Sequence, residues 1–162
     1  MQSYTDRAAF NDHLERPHIK KVTEQLETGL LSKEPEVLLL DQLEGFELGR
    51  PEAATQADPV LVWTELQYKP GTAESILGHW KSVFETTRDD EQGALLWQLA
   101  KNPNDANKLY VVHAYVSRDF LLNVHATSKA LKETQAFGKD IQTGVVPVFL
   151  KLHAGFLYKK GA

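Results

Sequence analysis

Apolar and polar residues alternate along this chain with two different periods, and each change of period marks a predicted element. Residues 6–30 carry apolar side chains three or four positions apart, which is typical of a helix. Pro17 falls inside this stretch and predicts two helices, because proline interrupts a helix but is tolerated in the first turn of a new one. Residues 35–48 favour an extended segment. The polar stretch 49–59, with glycine and proline near its ends, predicts a linker.

A complete series of elements follows this stretch. Strands are predicted from alternating or continuous apolar runs, and turns from Pro, Gly, Asn and Asp clusters. The order is strand, helix, strand, strand, helix, strand, which is the ferredoxin-like split β-α-β arrangement of an α+β fold. The predicted elements are a strand at 60–68, a helix at 72–87, a strand at 93–100, a hairpin loop at 102–107, a strand at 108–116, a helix beginning near Ser117, and a strand at 144–158.

The beginning of the chain recurs in its second half. The pair Gly45-Phe46 is found again as Gly155-Phe156, in each case after an apolar run. We interpret residues 1–48 as an incomplete copy of a complete unit at 60–158, with the linker 49–59 between them. Tyr4, Arg7 and His13 match Tyr115, Arg118 and His125 in the same order, 111 or 112 positions later.

Composition and charge narrow the possible partners. The chain has 162 residues, of which 42% are hydrophobic and 25% charged, and no apolar stretch has the length of a membrane span. The polar N-terminus lacks the apolar centre of a secretion signal, so we expect a cytoplasmic protein that does not bind membranes. The net charge of -4, without a basic stripe, argues against nucleic acid.

Several kinds of site lack their usual residues. The chain contains no cysteine, which excludes disulfides, thiol nucleophiles and thiolate metal ligands. No pair of histidines stands four apart on a predicted helix beside a carboxylate, so we expect no metal site. No glycine-rich phosphate loop or Gly-x-Ser-x-Gly sequence is present, which argues against nucleotide binding and serine hydrolase chemistry.

Short motifs in both halves resemble the antibiotic biosynthesis monooxygenase (ABM) domain. The segment YTDRAAFNDHLERPH is similar to the family's junction of third strand and second helix, where a histidine follows an aromatic residue by about nine positions. In the second half, LQYKPG, RDDEQG and NPNDANKLYVVHAYVSRDFLLNVHATS are similar to other parts of the domain. The family's third strand usually carries a glutamate two residues before its aromatic, whereas this chain has Gln2 and His113 there. The resemblance implies a dimeric α+β barrel, with a pocket in each unit between sheet and helices.

The resemblance also implies a chemistry. Members of the family include oxygenases that use neither metal nor flavin, so we expect no cofactor. An electron-rich phenol or anthrone reacts with O2 after deprotonation, which requires a base in an apolar pocket that excludes water. His125 is the candidate base, because it follows Leu121 and Leu122 on the predicted helix, where burial would keep it neutral. A structural histidine bonded to a backbone carbonyl is the alternative. Tyr115 is the second catalytic candidate, as a hydrogen-bond partner of a substrate oxygen, although packing in the core or interface is the alternative.

Further residues are candidates for contact with the substrate. His113 shares one side of the third predicted strand with Tyr115, and this side lies either between two sheets, which we favour, or in the pocket. For the tryptophans we favour packing over contact with an aromatic substrate. Thr64 and His125 stand where the haem-degrading branch of the family has asparagine and tryptophan, so we do not expect haem oxidation. The candidate substrate-binding residues are Trp63, Thr64, Trp97, His113 and Leu121.

We therefore expect a cofactor-independent, monooxygenase-like protein that acts with O2 on a small apolar molecule of aromatic or polyketide type. An isomerase or cyclase using the same pocket, and a non-catalytic ligand-binding or assembly protein, are the alternatives. Residues 60–158 supply one sheet, and residues 1–48 add too little for a second. We therefore expect a homodimer with the complete units packed sheet to sheet, and with the N-terminal helix and strand outside or across the dimer edge. A truncated product with open strand edges is the alternative.

Overall fold

The computed structural model describes residues 4–26, residue 28 and residues 37–151. Clustering of contacts divides the chain into two units, with the boundary between Leu38 and Leu39. None of the helices within the described residues is long and apolar enough to cross a membrane.

The first unit contains the helices α1 (Arg7–Leu14) and α2 (Pro17–Gln25). Asp6 begins α1, because its carboxylate accepts a hydrogen bond of 2.8 Å from the backbone N–H of Ala9. Pro17 occupies the first turn of α2, where its missing N–H costs no helical hydrogen bond. The predicted division of this region at Pro17 is confirmed.

Within its described residues, 39–151, the second unit is a five-stranded antiparallel sheet with helices on one face. The strand order is β1-β3-β4-β2-β5, so that the ferredoxin-like core of β2 to β5 is extended by β1 next to β3. The α+β, ferredoxin-like fold is therefore confirmed. The strands are β1 (Asp41–Gly49), β2 (Val60–Tyr68), β3 (Ala94–Asn102), β4 (Asp105–Tyr115) and β5 (Gln142–Leu150), and the helices are α3 (Leu77–Asp89), α4 (Arg118–Asn123) and α5 (Lys129–Gly138), with 3-10 turns at Pro51–Ala54, Ala73–Ile76 and His125–Thr127.

Strand β1 lies beside β3 in its own chain's sheet, rather than outside the unit or across a dimer edge as we expected. It begins with Asp41 opposite Lys101 and ends with Gly49 opposite Leu96. Phe46 is 8% exposed and packs against the core of the sheet, which explains why this strand covers the edge of β3. The interpretation of residues 1–48 as an incomplete copy stays a prediction.

The stretch predicted as a linker packs against β3. The side chain of Ala53, in the 3-10 turn, is buried beside Leu95 and Leu96. Arg50 donates a hydrogen bond of 2.8 Å from its Nε atom to the backbone oxygen of Ala94. Residues 50–54 therefore hold the end of β1 onto the next strand.

The two faces of the sheet carry different sets of side chains. Alternate residues of β2 and β4 point to the helix-covered face, where they pack against Trp80, Val83 and Phe84 of α3. The intervening residues point to the second face, where they pack around Ala53. The helix-covered face includes Leu66, Tyr68, Trp97, Leu99, Leu109 and Val111, and the second face includes Leu61, Trp63, Leu96, Val112 and Ala114.

The hairpin between β3 and β4 is tighter than predicted. Strand β3 ends at Asn102 and β4 begins at Asp105, so the connection consists of Pro103 and Asn104. The side chain of Asn102 accepts a hydrogen bond of 2.8 Å from the N–H of Asn104. The turn-forming side chains therefore act from the ends of the strands, and the predicted loop at 102–107 is too long.

The region after Ser117 is not one continuous helix. Ser117 is the N-cap of α4, as predicted, and its hydroxyl accepts a hydrogen bond of 3.1 Å from the N–H of Phe120. The helix ends at Asn123, a 3-10 turn follows, and Ser128 caps the separate helix α5. His125 thus lies in the turn between two helices rather than on a helix. The predicted strand at 144–158 begins at Gln142, and its part beyond residue 151 lies outside the described residues.

Candidate active site

A buried carboxylate and a buried histidine form the centre of the site. Glu91 lies in the turn between α3 and β3, and its backbone oxygen accepts a hydrogen bond of 3.0 Å from Ala94 as the strand begins. Its Oε2 atom is 2.8 Å from Nδ1 of His125, and both residues are 3% exposed. Because a carboxylate accepts hydrogen bonds, Nδ1 of His125 carries a proton, and Nε2 is the ring nitrogen whose lone pair can accept a second one. This is the arrangement that a general base requires.

A second pair lies against the first. His113 and Tyr115 are alternate residues of β4 and therefore point to the same face. Nδ1 of His113 is 2.9 Å from the hydroxyl oxygen of Tyr115. The ring centroid of His125 lies 5.7 Å from that of His113 and 5.0 Å from that of Tyr115. The three rings and the Glu91 carboxylate thus form one cluster, which we call the histidine cluster. Glu91, Tyr115 and His125 are buried, and His113 is partly buried with its Nε2 atom closed to water.

Burial determines the protonation of the second pair. It lowers the pKa of His113 to about 3, and positive charge on His125 acts in the same direction. Burial also raises the pKa of Tyr115 well above its ordinary range, and the negative charge of Glu91 adds to this effect. His113 and Tyr115 are therefore both uncharged at neutral pH.

The protonation of His113 predicts a pH dependence of stability. The ordinary pKa of histidine is 6.5 and that of folded His113 is about 3, so below pH 6.5 the unfolded chain gains a proton that the folded chain does not. The free energy of unfolding therefore decreases as the pH falls, and His113 alone contributes a loss of about 1 kcal/mol between pH 7 and pH 5.5. Urea unfolding at both pH values should show this loss in the wild type and a smaller one in His113→Phe. An equal loss in both proteins would contradict it.

The structure brings together most of the predicted site residues. Leu121 is 7% exposed and packs with Tyr115 in one apolar group. Trp97 stands opposite His113 in the β3–β4 ladder and is fully buried. Thr64 lies between Val62 and Leu66 in β2, whose side chains belong to the helix-covered face, and it shares that face.

Two expectations about placement are corrected. His113 lies on the helix-covered face, where we expected the pocket, and not on the side between sheets that we favoured. Leu122 is 48% exposed, so Leu121 alone of the two leucines packs inward near His125. Trp63 lies on the second face, with its ring centroid 5.2 Å from that of Tyr110, and the structure does not bring it together with the histidine cluster.

Buried polar atoms without partners mark the same region. Such atoms are rare in folded proteins, because an unpaired buried donor or acceptor costs about 1–3 kcal/mol. Two of them belong to the histidine cluster and a third to its cross-strand neighbour, and these are places where a ligand or an ordered water would bond. Within the described residues the unpaired atoms are Nε2 of His113, Oε1 of Glu91, Nε1 of Trp97 and Oγ1 of Thr87.

Glu91 is the member of the cluster to which sequence analysis gave no role. It follows Asp89 and Asp90, and the three acidic residues look alike in the sequence. In the structure the two aspartates are exposed and Glu91 is buried. No group of three His, Asp or Glu residues within the described part of the chain is arranged to hold a metal ion.

The first unit contains a ring pair similar to that of the cluster. The ring centroids of Tyr4 and His13 are 5.4 Å apart, compared with 5.0 Å for Tyr115 and His125. The repeat itself stays a prediction from the sequence.

Known proteins resemble this chain in fold, and a family model matches the segment that contains the histidine cluster. Residues 59–136 match the family model described as antibiotic biosynthesis monooxygenase. This segment of the chain is an ABM domain. It contains β2, β3 and β4 with their helices, and hence every residue of the histidine cluster. No curated protein is significantly similar to the chain in sequence.

Solved structures with the same fold are longer or shorter than this chain. A candidate monooxygenase of Lactobacillus acidophilus NCFM is 15% identical with a TM-score of 0.73, covering 91% of this chain and 67% of its own. A candidate monooxygenase of Fusobacterium nucleatum is 21% identical with a TM-score of 0.71, covering 96% of this chain and 67% of its own. A candidate antibiotic biosynthesis monooxygenase of Caulobacter crescentus is 23% identical with a TM-score of 0.52, covering 60% of this chain and 90% of its own. At these identities the comparison establishes the fold of the ABM domain and its surroundings.

Proposed function

We propose that the protein is a cofactor-independent monooxygenase that acts on a small apolar molecule of aromatic or polyketide type. The observation that carries this proposal is the buried pair of Glu91 and His125, which leaves one ring nitrogen of the histidine available as a base. The ABM domain at residues 59–136 supports a monooxygenase-like role at the level of the family.

The proposed reaction begins with removal of a proton from the substrate by Nε2 of His125. Glu91 stabilises the imidazolium that forms, because its carboxylate already accepts a hydrogen bond from the N–H at Nδ1. The resulting carbanion or phenolate is electron-rich enough to reduce O2 directly. In an anthrone-type substrate the carbanion adds O2, takes back a proton to give a hydroperoxide, and loses water. The net change converts a CH2 group to a carbonyl, with one oxygen atom retained in the product and the other released as water.

Oxygen consumption tests this function. Purified protein is incubated with a panel of phenols and anthrones, and O2 uptake is recorded with an electrode. The mass of the product formed in 18O2 is determined by mass spectrometry. A monooxygenase takes up one O2 per product and incorporates one labelled atom. Proton exchange or rearrangement without O2 uptake would instead identify an isomerase or cyclase, since these need the same base. Absence of turnover and of any ligand-dependent thermal shift would favour a non-catalytic protein.

We also propose that the protein acts as a homodimer. Strand β5 exposes an unusual amount of apolar side chain for a monomer, since Val145, Val146, Val148, Phe149 and Leu150 are 43–56% exposed. Val146, Val148 and Leu150 stand opposite Glu65, Trp63 and Leu61 and so lie on the second face, where a second copy packed against the sheet would remove them from water. Light scattering at micromolar concentration should give the mass of a dimer, whereas a well-folded monomer would contradict the proposal.

A further inference from the structure

The hydrogen bond between His113 and Tyr115 can be formed in two ways, which differ in the number of unpaired groups. If the tyrosine hydroxyl donates to Nδ1, the one group left without a partner is the N–H at Nε2 of His113. If Nδ1 donates instead, the hydroxyl hydrogen of Tyr115 and the lone pair at Nε2 are both left unpaired. Because each unpaired buried group carries a cost, we assign the first arrangement.

This assignment gives the two histidines of the cluster opposite tautomers. His125 carries its proton at Nδ1, toward Glu91, and has a lone pair at Nε2. His113 accepts at Nδ1, from Tyr115, and has an N–H at Nε2. Nε2 of His125 is therefore arranged to accept a proton. Nε2 of His113 already carries a hydrogen, so it can donate a hydrogen bond but cannot accept a proton. Their ring centroids are 5.7 Å apart, so the two rings are direct neighbours.

The unpaired donor of His113 calls for a particular kind of ligand atom. Trp97 stands directly opposite His113 in the β3–β4 ladder, and its Nε1–H is also buried without a partner. An indole N–H can act only as a donor. The two cross-strand neighbours on the helix-covered face thus both lack an acceptor, which a hydroxyl, phenolate or carbonyl oxygen would supply.

We propose that Nε2–H of His113 is a catalytic hydrogen-bond donor, which binds the oxygen of a phenol, enol or aromatic ketone as that oxygen becomes negatively charged. Tyr115 is a positioning residue that holds His113 in the donating tautomer. This inference rests on the proposed function, and it defines the substrate class as molecules whose oxygen stands beside the proton that His125 removes. The low pKa of His113 agrees with this role, because a ring that stays neutral keeps its tautomer through the reaction.

The acidity of a bound phenol tests the proposal without requiring turnover. The absorbance of 4-nitrophenol distinguishes its neutral and anionic forms, so titration in the presence of saturating protein gives the affinity for each form. A preorganised donor should make the wild type bind the phenolate about 100-fold more strongly, relative to the phenol, than His113→Phe does. His113→Gln keeps an N–H donor and should recover part of this preference. His79→Phe, a half-buried histidine stacked on Phe137, is the matched control and should behave as the wild type.

The role of Tyr115 is tested by the ring nitrogens of His113. Their 15N chemical shifts should identify the Nε2–H tautomer in the wild type and a mixture of tautomers in Tyr115→Phe, with a smaller preference for the phenolate. A purely structural role of Tyr115 would leave the tautomer unchanged. If His113→Phe does not fold, the same titration of His113→Gln and Tyr115→Phe shows whether the preference for the phenolate depends on His113.

Two results would overturn the proposal: a preference for the phenolate that is the same in the wild type and in the His113 variants, or a wild type that does not bind nitrophenolate. Both are distinguishable from failure of the proposed function. A wild type that stabilises the phenolate through His113 but consumes no O2 with any substrate would retain the donor and exclude the monooxygenase. A wild type that consumes O2, but in which His113 has no effect on the bound phenol, would retain the monooxygenase and exclude the donor.

Discussion

Replacing His125 with alanine should lower kcat/KM for O2-dependent turnover by about 100-fold or more, since a positioned general base contributes about that much. The ring nitrogen that removes the proton is lost, and the neighbouring ring of His113 does not replace it, because His113 bonds Tyr115 through Nδ1 and is held neutral. The measurement is O2 uptake at several substrate concentrations, made well below the melting temperature of the variant.

His13→Ala is the matched control for this substitution. The predicted repeat makes His13 equivalent to His125, and its ring contacts that of Tyr4 as the ring of His125 contacts that of Tyr115. Within the described residues no carboxylate pairs with His13, so this ring is not prepared as a base in the same way. His13→Ala should therefore retain most of the activity. Wild-type turnover in His125→Ala would show that another group removes the proton.

Replacing Glu91 with alanine should reduce the free energy of unfolding by about 3 kcal/mol. The substitution leaves the Nδ1–H of His125 in a site that is closed to water and without an acceptor, and removing one partner of a buried pair typically costs this much. Urea unfolding monitored by circular dichroism measures the change. Asp90→Ala removes the adjacent but exposed carboxylate, and should alter the free energy of unfolding by about 0.5 kcal/mol or less.

A double-mutant cycle separates the pair from the effects of cavity formation. In the His125→Ala background, Glu91→Ala removes a carboxylate that has no partner. Glu91→Ala should therefore lower the free energy of unfolding less in that background than in the wild type. We expect a coupling free energy of about 1–3 kcal/mol between the two positions. Additive effects of Glu91→Ala and His125→Ala would mean that the hydrogen bond does not stabilise the fold.

The sequence pattern correctly predicted elements that are specified by residues close together in the chain. Strand β2 was predicted with its observed bounds, because alternation and the following Lys69-Pro70-Gly71 turn specify it locally. The break before α5 was missed, since the hydroxyl of Ser128 becomes a cap only once the chain has turned at His125. Pairing of β1 with β3 depends on residues about 50 positions apart, and no local period reports such a contact.

The same distinction explains what was found of the site. His125 and Tyr115 were proposed from their spacing, and the structure places their rings 5.0 Å apart. The partner of His125 could not be selected from the sequence, because burial distinguishes Glu91 from the two exposed aspartates before it, and burial depends on the tertiary fold. The direction in which His113 points also depends on which face the helices cover, and strand alternation alone leaves both faces possible.

Pro147 has a consequence for how this sheet can associate with other chains. Within residues 37–151 the strands at the two edges are β1 and β5, and free edges are where sheets of different molecules join into open-ended polymers. Pro147 lies in the middle of β5, and a proline in an edge strand leaves no donor for a strand added outside it. At the other edge, regular pairing of β1 is interrupted between Gln42 and Glu47. Neither edge offers an unbroken row of backbone groups, so fibril-like growth by addition of strands is opposed. A partner that meets the second face of the sheet can still bury Val146, Val148 and Leu150.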